Sequence, residues 1–408
     1  MRAYERLLHY VTFDTASDGE SPTCPSTEKQ TVLARELVRG MKELGVENPR
    51  MDENGYVYGR IPGNIPGFQG PTLGFIAHMD VVDDVPSAGI RPRIVKNYDG
   101  GDIVLNEQEK IVLSPRDFPE LLEKKGKDLM VTDGTTLLGA DDKAGIAEIL
   151  TLAEELLSDP SFRHGPVAIA FTPDEEIGRG ADRFDVAGFG ADYAFTMDGG
   201  AFGELEYENF NAAALRVYVK GINIHPGSAK GKMKNAMRIA MEYEMMLPAG
   251  KKPEYTAGYD GFIHLDEMKG DVGSAMLRYI LRDHDLGKLE EQKAVCRAAA
   301  DFLNAKYGEG TVRLELRDGY RNMAKQIEPH RHLVDNAVEA IRLAGAEPCV
   351  RAIRGGTDGA TLSYMGLPCP NLGTGGGNFH GVLEYCCIQE MDQAVACMKN
   401  ILALYAKA

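Results

Sequence analysis

What this chain is short of narrows the field first. Its 45 lysines and arginines stand against 61 aspartates and glutamates, leaving a formal net charge of −16. Such a surface repels nucleic-acid phosphates and anionic lipid headgroups, so neither nucleic acid nor a membrane is an expected partner. No run of ~18 consecutive apolar residues occurs, the least that crosses a bilayer as a helix. The start, Met1-Arg2-Ala3-Tyr4-Glu5-Arg6, lacks the apolar stretch and small-residue cleavage pattern of a secretory signal. The seven cysteines are odd in number and have no C-x-x-C spacing, which reads as reduced thiols and an expected cytoplasmic location. Internal repeats and low-complexity segments are also lacking. What remains is 408 residues, 44% hydrophobic and 26% charged, the composition of a globular protein with room for two cores of domain size.

Short apolar runs suited to buried strands recur at residues 72–77, 167–171 and 193–195, with a helix of roughly Lys143 to Leu157 between the first two. An amphipathic helix carrying Leu7, Leu8 and Val11 opens the chain, and a second, about Thr27 to Leu44, ends at Gly45. This alternation predicts an α/β fold, a mostly parallel sheet with helices on both faces. Near Phe210 the pattern changes. An alternating strand at 215–220 leads to a helix from about Asn235, a polar connection, a helix near Lys288 to Ala305 and a strand at 312–316. Residues 209–320 therefore read as an inserted smaller α+β domain that splits the larger one into 1–208 and 321–408.

Residues able to do chemistry collect just beyond the apolar runs. In His78-Met79-Asp80, positions two apart in an extended chain face the same way, so Asp80 can take one ring proton of His78 while the other nitrogen binds a metal. The same pair equally describes a strand-end histidine beside a solvated aspartate. Asp141 and Asp142 stand at the mouth of a helix, where acidic side chains are ordinary capping. Thr172-Pro173-Asp174-Glu175-Glu176 contains a capping box, Thr172 with Glu175, and a proline suited to the first helical position; a helix start leaves only Glu176 unexplained. Alone, Asp198 is a turn residue and His380 belongs to a glycine loop at 375–381. In combination, two histidines and several carboxylates placed after strands can converge on the crevice where open α/β sheets carry their sites. Mixed nitrogen and oxygen donors suit zinc or a similar divalent ion. Two such cations are balanced by three carboxylates and one hydroxide.

Longer motifs then carry a resemblance. Thr132-Asp133-Gly134 is followed by Leu137-Leu138-Gly139-Ala140-Asp141-Asp142-Lys143-Ala144-Gly145, then by Ala170-Phe171-Thr172-Pro173-Asp174-Glu175-Glu176 and His225-Pro226-Gly227-Ser228-Ala229-Lys230-Gly231. Ile353-Arg354-Gly355-Gly356-Thr357-Asp358-Gly359-Ala360 and Gly366-Leu367-Pro368-Cys369-Pro370-Asn371-Leu372 complete the series. Across essentially its whole length the chain resembles the co-catalytic dizinc metallopeptidases, which include tripeptide aminopeptidases, glutamate carboxypeptidases and aminoacylases, and within them it is most similar to the tripeptide aminopeptidases. The resemblance implies a zinc-peptidase-like fold and two divalent metal ions, with zinc expected. Asp141 would bridge them, His78 and Asp198 completing one ligand set and Glu176 and His380 the other.

The same resemblance implies that Asp80 orients His78, that Glu175 is the general base, and that the Asp141–Asp142 peptide bond is cis. His225 is similar to the histidine that reaches the scissile carbonyl, from its own subunit or a partner's, although His225-Pro226-Gly227 by itself is a plain turn. The inserted domain is expected to act as a lid and to mediate a homodimer. Arg354, Arg282 and Asn378 are expected to bind substrate, the two arginines because a guanidinium fork matches a peptide's terminal carboxylate. Val81-Val82-Asp83-Asp84, Gly373 and Gly377 depart from the usual pattern at the pocket wall. The expected reaction is release of the N-terminal residue from a tripeptide. Its competitors are a dipeptidase or aminoacylase-type amide hydrolase with the same metals, and a catalytically silent binding protein. His9, His164, His264, His284, His330 and His332 receive no metal role.

Overall fold

The first apolar run forms the strand Leu73–His78, buried at all six positions because both of its faces are covered. It lies between Val167–Thr172 and Tyr193–Gly199 and runs parallel to both, and Asn371–Gly373 extends the parallel set beyond Tyr193–Gly199. Antiparallel strands flank this centre, Val57–Ile61 and Glu47–Met51 on one side and Glu204–Asn209 on the other. With Cys349–Ile353 at its edge the sheet has eight strands. Alternate side chains leave it in opposite directions. Ile76, Ala168, Ala170 and Ala194 join Phe184, Phe189 and Leu362 in one core. On the other side Phe75 stacks on Phe195, ring centroids 6.2 Å apart, and the helix Ala140–Ser158 packs on their strands. The expected α/β fold with helices on both faces is present, its sheet parallel at the centre with antiparallel pairings on either side.

The computed structural model describes residues 1–407. Two compact units divide them: Met1–Tyr207, Met323–Arg351 and the chain from Thr357 onward make one, and Glu208–Asn322 with Ala352–Gly356 the other. The short return segment 352–356 therefore belongs with the second unit, and Arg354 lies there rather than in the larger domain where the sequence boundaries put it. The second unit holds a four-stranded antiparallel sheet in the order Phe262–Gly270, Ser274–Asp283, Asn211–Lys220, Val312–Asp318. Helices Ala236–Met246 and Leu286–Tyr307 pack on it. The stretch read as a polar connection is thus partly a hairpin. Its signal was the alternation of Ala275, Leu277, Tyr279 and Leu281, all buried, after the turn at Gly270–Gly273; the exposed face of the partner strand masked it. Among the described residues no helix is long and apolar enough to cross a membrane.

The helix Ala140–Ser158 also encloses Glu148 completely, with neither carboxylate oxygen hydrogen-bonded. Burial raises this carboxyl well above its ordinary range, which favours the neutral acid in the folded state. A raised folded pKa means that the native state holds a proton the unfolded chain releases, so stability falls as pH rises above the ordinary glutamate range. Glu148→Gln removes that dependence. Urea unfolding of both proteins at about pH 5 and pH 8 is expected to show the variant gaining on the wild type, by up to ~1.4 kcal/mol per pH unit. An unchanged gap between the two pH values would mean that Glu148 does not retain its proton.

Candidate metal centre

The parallel strands end together, and their ends deliver the site. His78 is the last residue of its strand, Asp198 stands one residue before the end of Tyr193–Gly199, and Glu175 and Glu176 follow Val167–Thr172. Asp141 comes from the opening of the helix Ala140–Ser158, and His380 from the loop before the strand Tyr385–Cys387. Asp141 turns its two oxygens to different imidazoles: Oδ1 is 2.9 Å from His78 Nε2 and Oδ2 is 3.4 Å from His380 Nε2. Each imidazole faces a second carboxylate as well. Asp198 Oδ1 lies 3.4 Å from His78 Nε2, and Glu176 Oε2 lies 3.1 Å from His380 Nε2.

This donor set fits a pair of divalent cations. The Nδ1 of His78 faces the Asp80 carbonyl oxygen at 3.1 Å and its carboxylate at 3.4 Å, so the ring proton has a partner there and Nε2 is left with its lone pair toward Asp141 and Asp198. Donor atoms of His78, Asp141 and Glu176 lie within 4.8 Å of one another, and so do those of His78, Glu175 and Asp198. The protein by itself is short of positive charge here. Hydrogen bonds that it donates to Asp141 and Glu176 lift the His380 imidazole to about 11. Burial favours a neutral His78, yet the charge of Asp198 and a hydrogen bond to Asp141 raise it well above the ordinary histidine range. Burial, with Asp141 adding to it, pushes Glu176 up to about 7, and burial with Asp198 raises Glu175. Protons gather where cations would neutralise the cluster.

Buried carboxylates hold the segments that carry these groups. Asp80 accepts the Glu175 N–H at 3.0 Å and the Glu176 N–H at 3.1 Å, so one side chain faces His78 and also sets the turn behind the strand Val167–Thr172. Asp142 accepts from His78 N–H at 3.1 Å and from Gly145 N–H at 3.2 Å. The capping reading is therefore correct for Asp142, while Asp141 is left to face the crevice; the bond between them is cis, as expected. The capping-box reading of Thr172 and Glu175 is overturned, because no helix starts there. The Thr172 hydroxyl donates to Asp358 at 2.8 Å instead, and Asp174 takes a left-handed φ of 60° with its carboxylate bound to Ser26 and Gln30. Asp358 and Glu384 were missed as supports. Asp358 at least lay inside a recognised motif, but Glu384 had no local signal.

Residues 132–404 match the pattern of peptidase family M20/M25/M40. The chain is 54% identical over 404 residues to Peptidase T of Alkaliphilus oremlandii, a match that covers 99% of each. It belongs to this peptidase family. As an M20/M25/M40 peptidase it shares its fold with aminopeptidase PepT from Bacillus cereus, at 24% identity and a TM-score of 0.78, covering 99% of this chain and 98% of that one. More distant is a dinuclear metal binding peptidase of Bacillus subtilis, at 14% identity and a TM-score of 0.65, again over 99% and 98%.

Three of the remaining candidates in this M20/M25/M40 peptidase, His225, Arg354 and Arg282, belong to the second unit. His225 is exposed on the second unit, its Nδ1 accepting the Gly227 N–H at 3.2 Å, so the local turn is present. The Arg354 guanidinium is engaged within that unit, donating to the carbonyls of Gly258 and Asp260 at 2.6 and 2.9 Å and resting over Phe210. Arg282 donates to Leu281 O at 2.9 Å and lies over Tyr320. In the first unit Asn378 donates from Nδ2 to Leu383 O at 3.3 Å, two residues before His380. His330 and His332 pack against Tyr193, apart from the metal centre.

Proposed function

We infer that this protein is a metal-dependent aminopeptidase that removes the N-terminal residue from short peptides, tripeptides above all. The observation that carries the reading is Asp141, one carboxylate shared between two half-sites, with the Glu175 carboxylate beside His78 and Asp198. His78 and Asp198 would hold one ion, Glu176 and His380 the other, and Asp141 would serve both. When bound, a pair of divalent ions, zinc on this donor set, polarises the scissile carbonyl and lowers the pKa of water toward neutrality. Glu175 takes the proton from the attacking water and passes it to the departing amine. Asp80 keeps His78 in the tautomer that leaves Nε2 free. His225, from this chain or a partner's, donates a hydrogen bond to the developing oxyanion, and Arg354, Arg282 and Asn378 orient the peptide. The second unit serves as lid and dimer contact in a cytoplasmic homodimer. The 54% identity to Peptidase T of Alkaliphilus oremlandii, in a match covering 99% of both chains, supports the tripeptide preference.

The test is turnover of unblocked di-, tri- and tetrapeptides beside an N-acetylated tripeptide, before and after chelation. Free tripeptides are expected to be cleaved fastest, the acetylated one not at all, and chelation to abolish activity until a divalent ion is restored. Equal cleavage of the acetylated tripeptide would favour an aminoacylase-type hydrolase instead.

A further inference from the structure

Glu384 is 2% exposed and lies four residues beyond His380, at the entry to the strand Tyr385–Cys387. Both of its oxygens are taken up by backbone donors from a segment more than two hundred positions earlier. Oε2 accepts the N–H of Leu138 and of Gly139, each at 2.7 Å, and Oε1 accepts the N–H of Asp141 at 3.1 Å. Gly139 takes a left-handed φ of 75°, which lets successive N–H groups converge on one anion. On its own side, the Glu384 N–H closes a turn onto Gly381 O at 3.3 Å, and Asn378 binds the Leu383 carbonyl. His380 sits between these two ties. A single carboxylate thus fastens the loop that carries His380 to the turn that carries Asp141.

We propose that Glu384 is a positioning residue that fixes the spacing of Asp141 and His380 and thereby sets the affinity of the metal position they share with Glu176. It touches neither ion nor substrate. The inference rests on the ligand reading above, and its test separates the two. A glutamine at 384 has the same size but only one oxygen, so one of its arms must turn an N–H donor toward a backbone N–H. The remaining oxygen suits the Leu138 and Gly139 pair, which leaves the Asp141 N–H unmatched.

The experiment titrates the metal-free full-length chain with cobalt(II), following heat and the visible d–d bands, for wild type, Glu384→Gln and Glu390→Gln. Glu390 is a comparably buried carboxylate that binds Lys124 and Lys127, so its variant reports a loss of stability elsewhere in the same unit. Glu384→Gln is expected to take up the first ion normally and to bind the second about 10–100-fold more weakly, with altered bands for that ion. Its peptidase activity at limiting cobalt is expected to recover as the ion is raised, while Glu390→Gln binds both ions as the wild type does. If Glu384→Gln does not fold, Glu384→Asp, which keeps the charge and shortens the reach, is read in the same way.

Wild-type affinity at both positions in a folded Glu384 variant would overturn the proposal. So would equal weakening in Glu384→Gln and Glu390→Gln, which would mark a merely structural role. A wild-type chain that binds fewer than two cobalt ions would overturn the ligand reading itself.

Discussion

Glu175→Gln is expected to lower kcat by about 10²–10⁴-fold while both metal ions are retained. Glutamine keeps the length and shape of the side chain and removes the proton acceptor. The turn that carries it is held from outside, through the bonds from the Glu175 and Glu176 N–H groups to Asp80, and these do not involve the Glu175 side chain. The ligand frame should therefore persist. The measurement pairs steady-state kinetics on a free tripeptide with metal analysis of the gel-filtered variant. The pairing matters because the Glu175 carboxylate lies within 4.8 Å of donor atoms on His78 and Asp198, close enough to serve as a ligand itself. Loss of one ion together with activity would assign Glu175 to the metal cage, and near-normal turnover with both ions present would remove it from the chemistry.

Asp141→Asn has the larger expected effect, since it acts on both half-sites at once. The aspartate offers one oxygen toward His78 and the other toward His380. Asparagine fills the same space but carries no charge, and it presents an N–H₂ group, which cannot ligate, to one of the two positions. Affinity for both ions should fall and peptidase activity should drop to background, with the fold retained by circular dichroism. Asp198→Asn is the matched comparison: of the two site histidines Asp198 is paired with His78, so that variant should lose one ion selectively. A full complement of two ions in Asp141→Asn would end the case for a shared ligand.

Much of this candidate site was legible because its residues obey local rules. His78 and Asp198 fall at the ends of buried apolar runs, and such runs read as strands whatever surrounds them. The supports were harder to see, and the reason differs for each. Thr172 and Glu175 have the spacing of a capping box, but Asp174 finds Ser26, 148 positions away, and that distant partner holds the backbone in a conformation no helix can begin from. Asp142 does cap its helix, as its position suggests, and the same carboxylate also holds the His78 N–H across the sheet end.

The sequence by itself determined the α/β alternation, the strand ends and the identities of the groups able to bind metal, because periodic burial and residue chemistry act over a few positions. Only the tertiary structure decided that the two Asp141 oxygens face different histidines and that Glu384 joins two loops. Those facts depend on which backbone N–H groups and imidazoles converge once remote segments pack, and packing of that range leaves no periodic trace along the chain.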